Sequence, residues 1–155
     1  MVAEVEPRHS FLIRPPVANV SLVAVVLAVE QPSFDPDQAS RFLLTAERTG
    51  LEVILLLTKT DLLSAAALER LVTRLKGWGY DPLALSSAAG TGIDALRQRL
   101  AGAQLSVLCG PSGVGKSSLL NQLRPDLQLR TAAVSGRLQR GRHTTRHVEL
   151  FSLGP

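Results

Sequence analysis

An α/β fold, with a mostly parallel sheet and helices on both faces, is what this sequence predicts, and two observations predict it. Short aliphatic and β-branched runs alternate along the chain with stretches whose apolar residues recur at helical spacing. One glycine-rich run, Gly110-Pro111-Ser112-Gly113-Val114-Gly115-Lys116-Ser117, lies between a strand-like run and a helix-like one. The length of 155 residues suits one domain with a single core.

Taken in order, residues 1–19 are mixed, with Pro7, Pro15 and Pro16, and read as a lead-in. Val20–Val29 has the pattern of a strand buried on both faces. Asp35-Pro36-Asp37 can start a helix with Ala39, Phe42, Leu43 and Ala46 on one face, and Gly50 can end it. Val53–Leu57 is a second buried strand. Ser64 can cap a helix whose apolar stripe is Leu68, Leu71, Val72 and Leu75, stopping near Gly77. Leu83–Leu85 is a short third strand, and Ile93–Leu100 a short helix after Gly90 and Gly92. Leu105–Leu108 is a fourth strand, and a helix follows from Lys116 to Leu123. Residues 124–147 show no periodicity and read as a long loop, after which Val148–Leu153 begins another strand.

Composition removes several classes of function. With 45% hydrophobic residues, 19% charged residues and a net charge of +4, disorder is not expected. The single cysteine, Cys109, allows no internal disulfide and no cysteine-cluster zinc site, and it reads as a small buried core residue. Val20–Val29 is about half the roughly 20 residues a membrane helix needs, so no membrane association is expected. No charged-then-apolar leader pattern opens the chain. A soluble protein of a reducing compartment follows as the expectation.

The charge is unevenly placed. Residues 1–123 sum to zero, so all of the +4 sits in residues 124–155, where six arginines (Arg124, Arg130, Arg137, Arg140, Arg142, Arg146) face Asp126 and Glu149. Such a segment either meets phosphates or is simply a solvated basic loop.

The strongest chemical signal is the GxxxxGK[ST] match of Gly110–Ser117, the phosphate-binding P-loop pattern. Its glycines let the backbone wrap a polyphosphate, so that successive N–H groups and the helix N-terminus face negative charge. Lys116 would reach the β- and γ-phosphates, and the Ser117 hydroxyl would ligate Mg²⁺, with Ser118 beside it. The bland alternative is a turn that merely joins strand to helix.

Two further loops follow strands. Thr58-Lys59-Thr60-Asp61 resembles the Asn-Lys-x-Asp guanine-reading motif of GTPases, with Thr58 in the place of Asn. Asp61 could accept from N1–H and the exocyclic amine of guanine, whereas adenine would oppose a lone pair to it. The Lys59 stem could lie along base and ribose. A lysine and a helix-capping aspartate after a strand would look the same. Ser86-Ser87-Ala88 resembles the Ser-Ala loop whose backbone helps to seat guanine, although alone such a turn means little.

In ordinary GTPases the phosphate loop precedes the base-reading loops, and here it follows them. That is a circular permutation, which a compact domain tolerates when its original termini are close. The order of motifs, together with Gly141-Arg142-His143-Thr144-Thr145-Arg146, resembles the ribosome-small-subunit-dependent circularly permuted GTPases, the RsgA/YjeQ family. Pro7-Arg8-His9-Ser10, Arg14-Pro15 and Ala18-Asn19-Val20 look like that family's join between its N-terminal and GTPase domains.

The resemblance implies GTP hydrolysis with Mg²⁺, late in assembly of the 30S ribosomal subunit and in contact with its rRNA, by a cytoplasmic monomer. It implies that residues 1–19 are the tail of an OB-fold domain and that 20–155 are a permuted GTPase domain, incomplete at its C-terminal end. The family's C-terminal zinc domain and Asp-x-x-Gly motif have no counterpart in the sequence. Residues 124–147 fall where the family has switch I, so Thr144 or Thr145 would meet Mg²⁺ and the γ-phosphate. His143 is the candidate to orient the attacking water, against the alternative of an exposed loop histidine, as His9 and His147 are expected to be. Trp78 is expected in the turn after a helix, its ring partly covered.

Two rivals stay open at this point. One is an ATP-dependent P-loop enzyme in which Asp61 only caps a helix. The other is a nucleotide-binding fragment without turnover that contacts RNA through its arginines; an aromatic content of 4% argues against base stacking.

Overall fold

The computed structural model describes residues 5, 7–13, 16–131 and 150–152. Among them a two-stranded ribbon, β1 (Phe11–Leu12) and β2 (Val17–Ala18), precedes β3 (Leu22–Ala28), α1 (Pro36–Glu47), β4 (Glu52–Thr58), α2 (Ala65–Gly77), β5 (Leu83–Ala84), α3 (Ile93–Ala101), β6 (Ser106–Cys109) and α4 (Lys116–Leu123). The main sheet runs in the order β5-β4-β3-β6 and every pairing in it is parallel. The predicted α/β class is therefore the observed one.

Strand β3 sits at the centre because all seven of its residues are apolar and buried. The two-residue period of a strand divides its side chains between two cores. Val23, Val25 and Leu27 pack with Leu43 of α1 and Leu75 of α2, while Leu22, Ala24 and Val26 pack with Leu96 of α3 and Leu119 of α4. Burying each valine or leucine contributes about 1.5–3 kcal/mol, so this strand must be covered on both sides. Helices α1 and α2 cover one face and α3 and α4 the other.

The helix boundaries follow their caps. Asp35 Oδ1 accepts from the backbone of Asp37 (2.9 Å) and Gln38 (3.2 Å) at the start of α1, with Pro36 in the first turn. The Ser64 hydroxyl accepts from Ala67 N (3.3 Å) at the start of α2. Trp78 caps the end of α2, with the Arg74 guanidinium 5.4 Å from its ring centroid.

The structure corrects or refines the sequence reading at four points. Within the lead-in, the ribbon closes through Asn19, whose side-chain oxygen accepts from His9 N (2.8 Å) and whose amide donates to Pro7 O (3.0 Å). Asn19 takes a left-handed φ of 59°, which asparagine tolerates better than most residues. Of the strand expected over Val148–Leu153, the described residues 150–152 are not in strand conformation, Leu150 is exposed and the Ser152 carbonyl accepts from the Arg124 guanidinium, while the rest of that span lies outside the described residues. Cys109 is half-buried against the core rather than enclosed by it. In the expected loop from 124, Pro125–Leu127 form a single 3₁₀ turn.

Candidate nucleotide site

All strands of the parallel sheet end at one side, where loops from open α/β sheets gather ligands. The loop after β6 is Gly110–Gly115. Gly110 is irreplaceable on geometry, since a Cβ there would lie 2.1 Å from the Val26 carbonyl oxygen. The backbone thus presses onto the end of β3, and Gly113 and Gly115 add φ values of 78° and 98° that carry the turn into α4. Lys116 opens that helix, and its ammonium donates to the carbonyls of Gly110 (2.9 Å) and Pro111 (2.7 Å). Burial lowers the Lys116 pKa, opposed by the nearby Cys109 sulfur. The same burial pushes the Cys109 thiol up to about 11, with Lys116 pulling the other way. Ser117 and Ser118 lie half-buried in the first helical turn.

The loop after β4 reaches the phosphate loop through two consecutive residues. Thr58 is buried, with its hydroxyl 2.5 Å from Val114 O and 3.2 Å from Leu27 O. Lys59 takes a left-handed φ of 59° and turns its ammonium onto Gly113 O (2.8 Å) and onto Gln31 O. Burial lowers its pKa as well. Thr60 and Asp61 enter a 3₁₀ turn, and there they meet the loop after β5.

That second junction is tight. Thr60 N donates to Leu85 O (3.2 Å), and its hydroxyl lies 3.1 Å from the same oxygen. The Ser86 hydroxyl donates to Asp61 Oδ1 (2.5 Å) and accepts from Ala89 N (3.0 Å). Asp61 itself is exposed, whereas Ser86 is buried. One carboxylate oxygen is thus held from the protein side while the group still faces solvent. Ser87 is half-buried and Ala88 exposed on the same loop, and the Ser87 carbonyl accepts from Gln122 Nε2 (3.1 Å) at the far end of α4.

Three participants carried no signal in the sequence. Gln31 contributes only its main-chain oxygen, through the loop after β3. Gln122 and Arg97 join α4 to the loop after β5 and to α3, Arg97 donating to Leu123 O (3.1 Å). Main-chain acceptors and surface side chains of this kind have no characteristic spacing. His143, Thr144 and Thr145 lie outside the described residues, as do Arg137, Arg140, Arg142, Arg146 and His147. Among the described residues no group of three or more His, Cys, Asp or Glu could hold a metal ion, and no helix is long and apolar enough to cross a membrane.

The glycine cradle, a lysine at its foot and two serines at a helix N-terminus suit a nucleoside polyphosphate. The supported carboxylate of Asp61 lies at the same end of the sheet.

Comparison with known proteins agrees. Residues 5–155 match the family model described as RsgA GTPase. The chain is 96% identical over 155 residues to the small ribosomal subunit biogenesis GTPase RsgA of Synechococcus sp. (strain CC9605), covering 100% of this chain and 51% of the relative. It is 71% identical over 154 residues to the protein of the same name from Synechococcus sp. (strain CC9311), covering 99% and 51%. Among solved structures it resembles YjeQ from Thermotoga maritima, with 36% identity and a TM-score of 0.72 over 83% of this chain and 47% of that one. It also resembles YloQ, a circularly permuted GTPase, with 35% identity and a TM-score of 0.61 over 79% and 44%. The chain spans about half the length of the curated relatives it matches.

Proposed function

The chain belongs to the RsgA GTPase family, and from that premise we propose that it binds GTP and GDP with Mg²⁺, hydrolyses GTP, and serves as a switch in maturation of the small ribosomal subunit. The observation that carries this reading is the joining of the three loops at the strand ends. The Thr58–Asp61 loop holds carbonyls of the phosphate loop on one side and meets Ser86 on the other.

In this reading the phosphates lie over Gly110–Gly115, against backbone N–H groups and the start of α4. Lys116 exchanges its contacts with loop carbonyls for the β- and γ-phosphate oxygens and offsets the charge that develops on them. The Ser117 hydroxyl is the ligand this chain offers to Mg²⁺, and Thr144 or Thr145 the second. When bound, the ion draws charge from the phosphate oxygens. Asp61 reads N1–H and the exocyclic amine of guanine, oriented by Ser86; Lys59 flanks the base; the Ser87 and Ala88 backbone lies at its far edge. His143 orients the water that attacks the γ-phosphate, and catalysis is mainly positioning and charge stabilisation.

The arginines of 124–147 would meet rRNA phosphates of the 30S subunit, in the cytoplasm. Turnover is then slow alone and faster when the ribosomal partner fixes that segment. GTP turnover by this chain, and by its 96%-identical relative, should rise on addition of 30S subunits. A rate indifferent to subunits in both proteins would remove the ribosomal part.

A further inference from the structure

The loop between β5 and α3 offers two successive main-chain donors, and its neighbours hold both of their peptide planes. Ser86 and Thr91 exchange backbone hydrogen bonds, Ser86 N to Thr91 O (3.1 Å) and Thr91 N to Ser86 O (3.0 Å). In a trans peptide the C=O and the following N–H point in opposite directions. With Ser86 O turned to Thr91, the Ser87 N–H faces away from Thr91. The next carbonyl, Ser87 O, accepts from Gln122 Nε2 at 3.1 Å, so the Ala88 N–H faces away from α4. No described residue accepts from either N–H, whereas Ala89 N donates to the Ser86 hydroxyl. Two adjacent N–H groups suit an acceptor atom, and they stand one residue beyond the serine that holds Asp61.

The helix that carries Gln122 is itself braced. Arg97 of α3 donates to Leu123 O (3.1 Å) and lies 3.5 Å from Gln122 O, which closes the last turn of α4. Lys116 opens the same helix six residues earlier, about 9 Å along its axis. The loop after β5 is thus fastened to the rigid element that begins at the phosphate loop.

We propose that Gln122 is a positioning residue for base selectivity: it holds the Ser87 carbonyl so that the Ala88 N–H, with that of Ser87, meets the O6 carbonyl of a guanine nucleotide. The inference rests on the guanine-nucleotide reading above and deepens it. Asp61 answers the donors at N1 and the exocyclic amine. The two N–H groups answer the acceptor at position 6, where adenine carries an amine and would set donor against donor. Gln122 touches no part of the nucleotide and acts only through the peptide plane.

The test is competition binding of GDP, 6-thio-GDP and IDP to the wild-type chain, Gln122→Met and Gln122→Lys. Sulfur at position 6 is a weak acceptor and leaves N1–H and the exocyclic amine in place; IDP keeps the oxygen and lacks the amine. Methionine keeps the length of glutamine without its donor, and lysine keeps a donor at similar reach. Position 122 is exposed, so neither change disturbs the core. Gln122→Met should weaken GDP about three- to tenfold, the range for one hydrogen bond, and leave 6-thio-GDP nearly unchanged. The preference for oxygen over sulfur then shrinks about threefold or more, and Gln122→Lys restores it. The ratio of GDP to IDP affinity should be the same in all three proteins.

Unchanged GDP affinity in Gln122→Met overturns the proposal. So does an equal loss for GDP and 6-thio-GDP, which would mark a merely structural role, or a shifted GDP-to-IDP ratio, which would place the effect at Asp61. Failure of Gln122→Lys to restore the preference, or a wild-type chain that binds GDP and 6-thio-GDP equally, overturns it as well. If Gln122→Met does not fold, Gln122→Glu, whose carboxylate has no donor, takes its place with the same expected outcomes. A wild-type chain that binds none of the three nucleotides overturns the guanine-nucleotide reading itself, a result distinct from all of these.

Discussion

At the scale of single residues, Asp61 shows how a weak motif becomes a usable group. Its carboxylate is exposed, yet Ser86, two secondary-structure elements later in the chain, donates to one oxygen from a buried position. A carboxylate held in this way presents a fixed pair of acceptors, and two acceptors match the adjacent donors of guanine and of no other common purine. Asp61→Asn replaces one acceptor with a donor. It should weaken GDP by about tenfold to a hundredfold, at a cost of about 1–3 kcal/mol for a mispaired polar group. It should also strengthen xanthosine diphosphate, whose C2 carbonyl can accept from the new amide. Competition binding with the two diphosphates measures both. The sequence revealed Asp61 and Ser86 as candidates, because each lies just after an apolar strand. It could not reveal that they meet, since a contact across 25 residues depends on β4 and β5 being neighbours in the sheet. Thr58 was legible as a departure from asparagine, but where its hydroxyl points was not.

At the scale of elements, caps and periodicity made the boundaries legible. Asp35-Pro36 and Ser64 start their helices where a side-chain acceptor precedes an apolar stripe, and Gly50, with a φ of 70°, lies just beyond the end of α1. The ribbon at residues 11–18 was not legible, because two-residue strands carry no period and their pairing depends on Asn19.

Another link invisible in the sequence joins α1 to the turn after α2: the Tyr80 hydroxyl donates to Glu47 (2.9 Å). Burial first, and then this carboxylate, push the Tyr80 phenol from its usual 10.0 up to about 12. A raised pKa means that the folded state favours the protonated phenol. The stabilisation is therefore complete below pH 10.0 and is lost as pH rises toward 12. Tyr80→Phe should lower the melting temperature slightly at pH 8 and flatten its decline between about pH 10 and pH 12, as followed by circular dichroism. An unchanged alkaline slope would contradict the link.

At the scale of the whole molecule, the order of motifs carried more information than any one of them. A phosphate loop that follows two base-side loops predicts a permuted domain, and YloQ, a circularly permuted GTPase, matches 79% of the chain with a TM-score of 0.61. The parallel sheet explains why the permutation costs little. Every site loop leaves the same end of the sheet, so the site depends on strand neighbours and not on where the chain starts. The ties Thr58–Val114, Lys59–Gly113, Ser86–Asp61 and Gln122–Ser87 then join loops far apart in sequence at that end of the sheet.

The central claim, that these loops form one guanine-nucleotide site, is tested most directly by calorimetric titration of the chain with GDP and with ADP in the presence of Mg²⁺. GDP should bind with 1:1 stoichiometry and ADP should bind at least about a hundredfold more weakly, the discrimination expected of a site whose polar groups are matched to one base. Equal affinity for the two would contradict it, leaving a phosphate loop that reads no base.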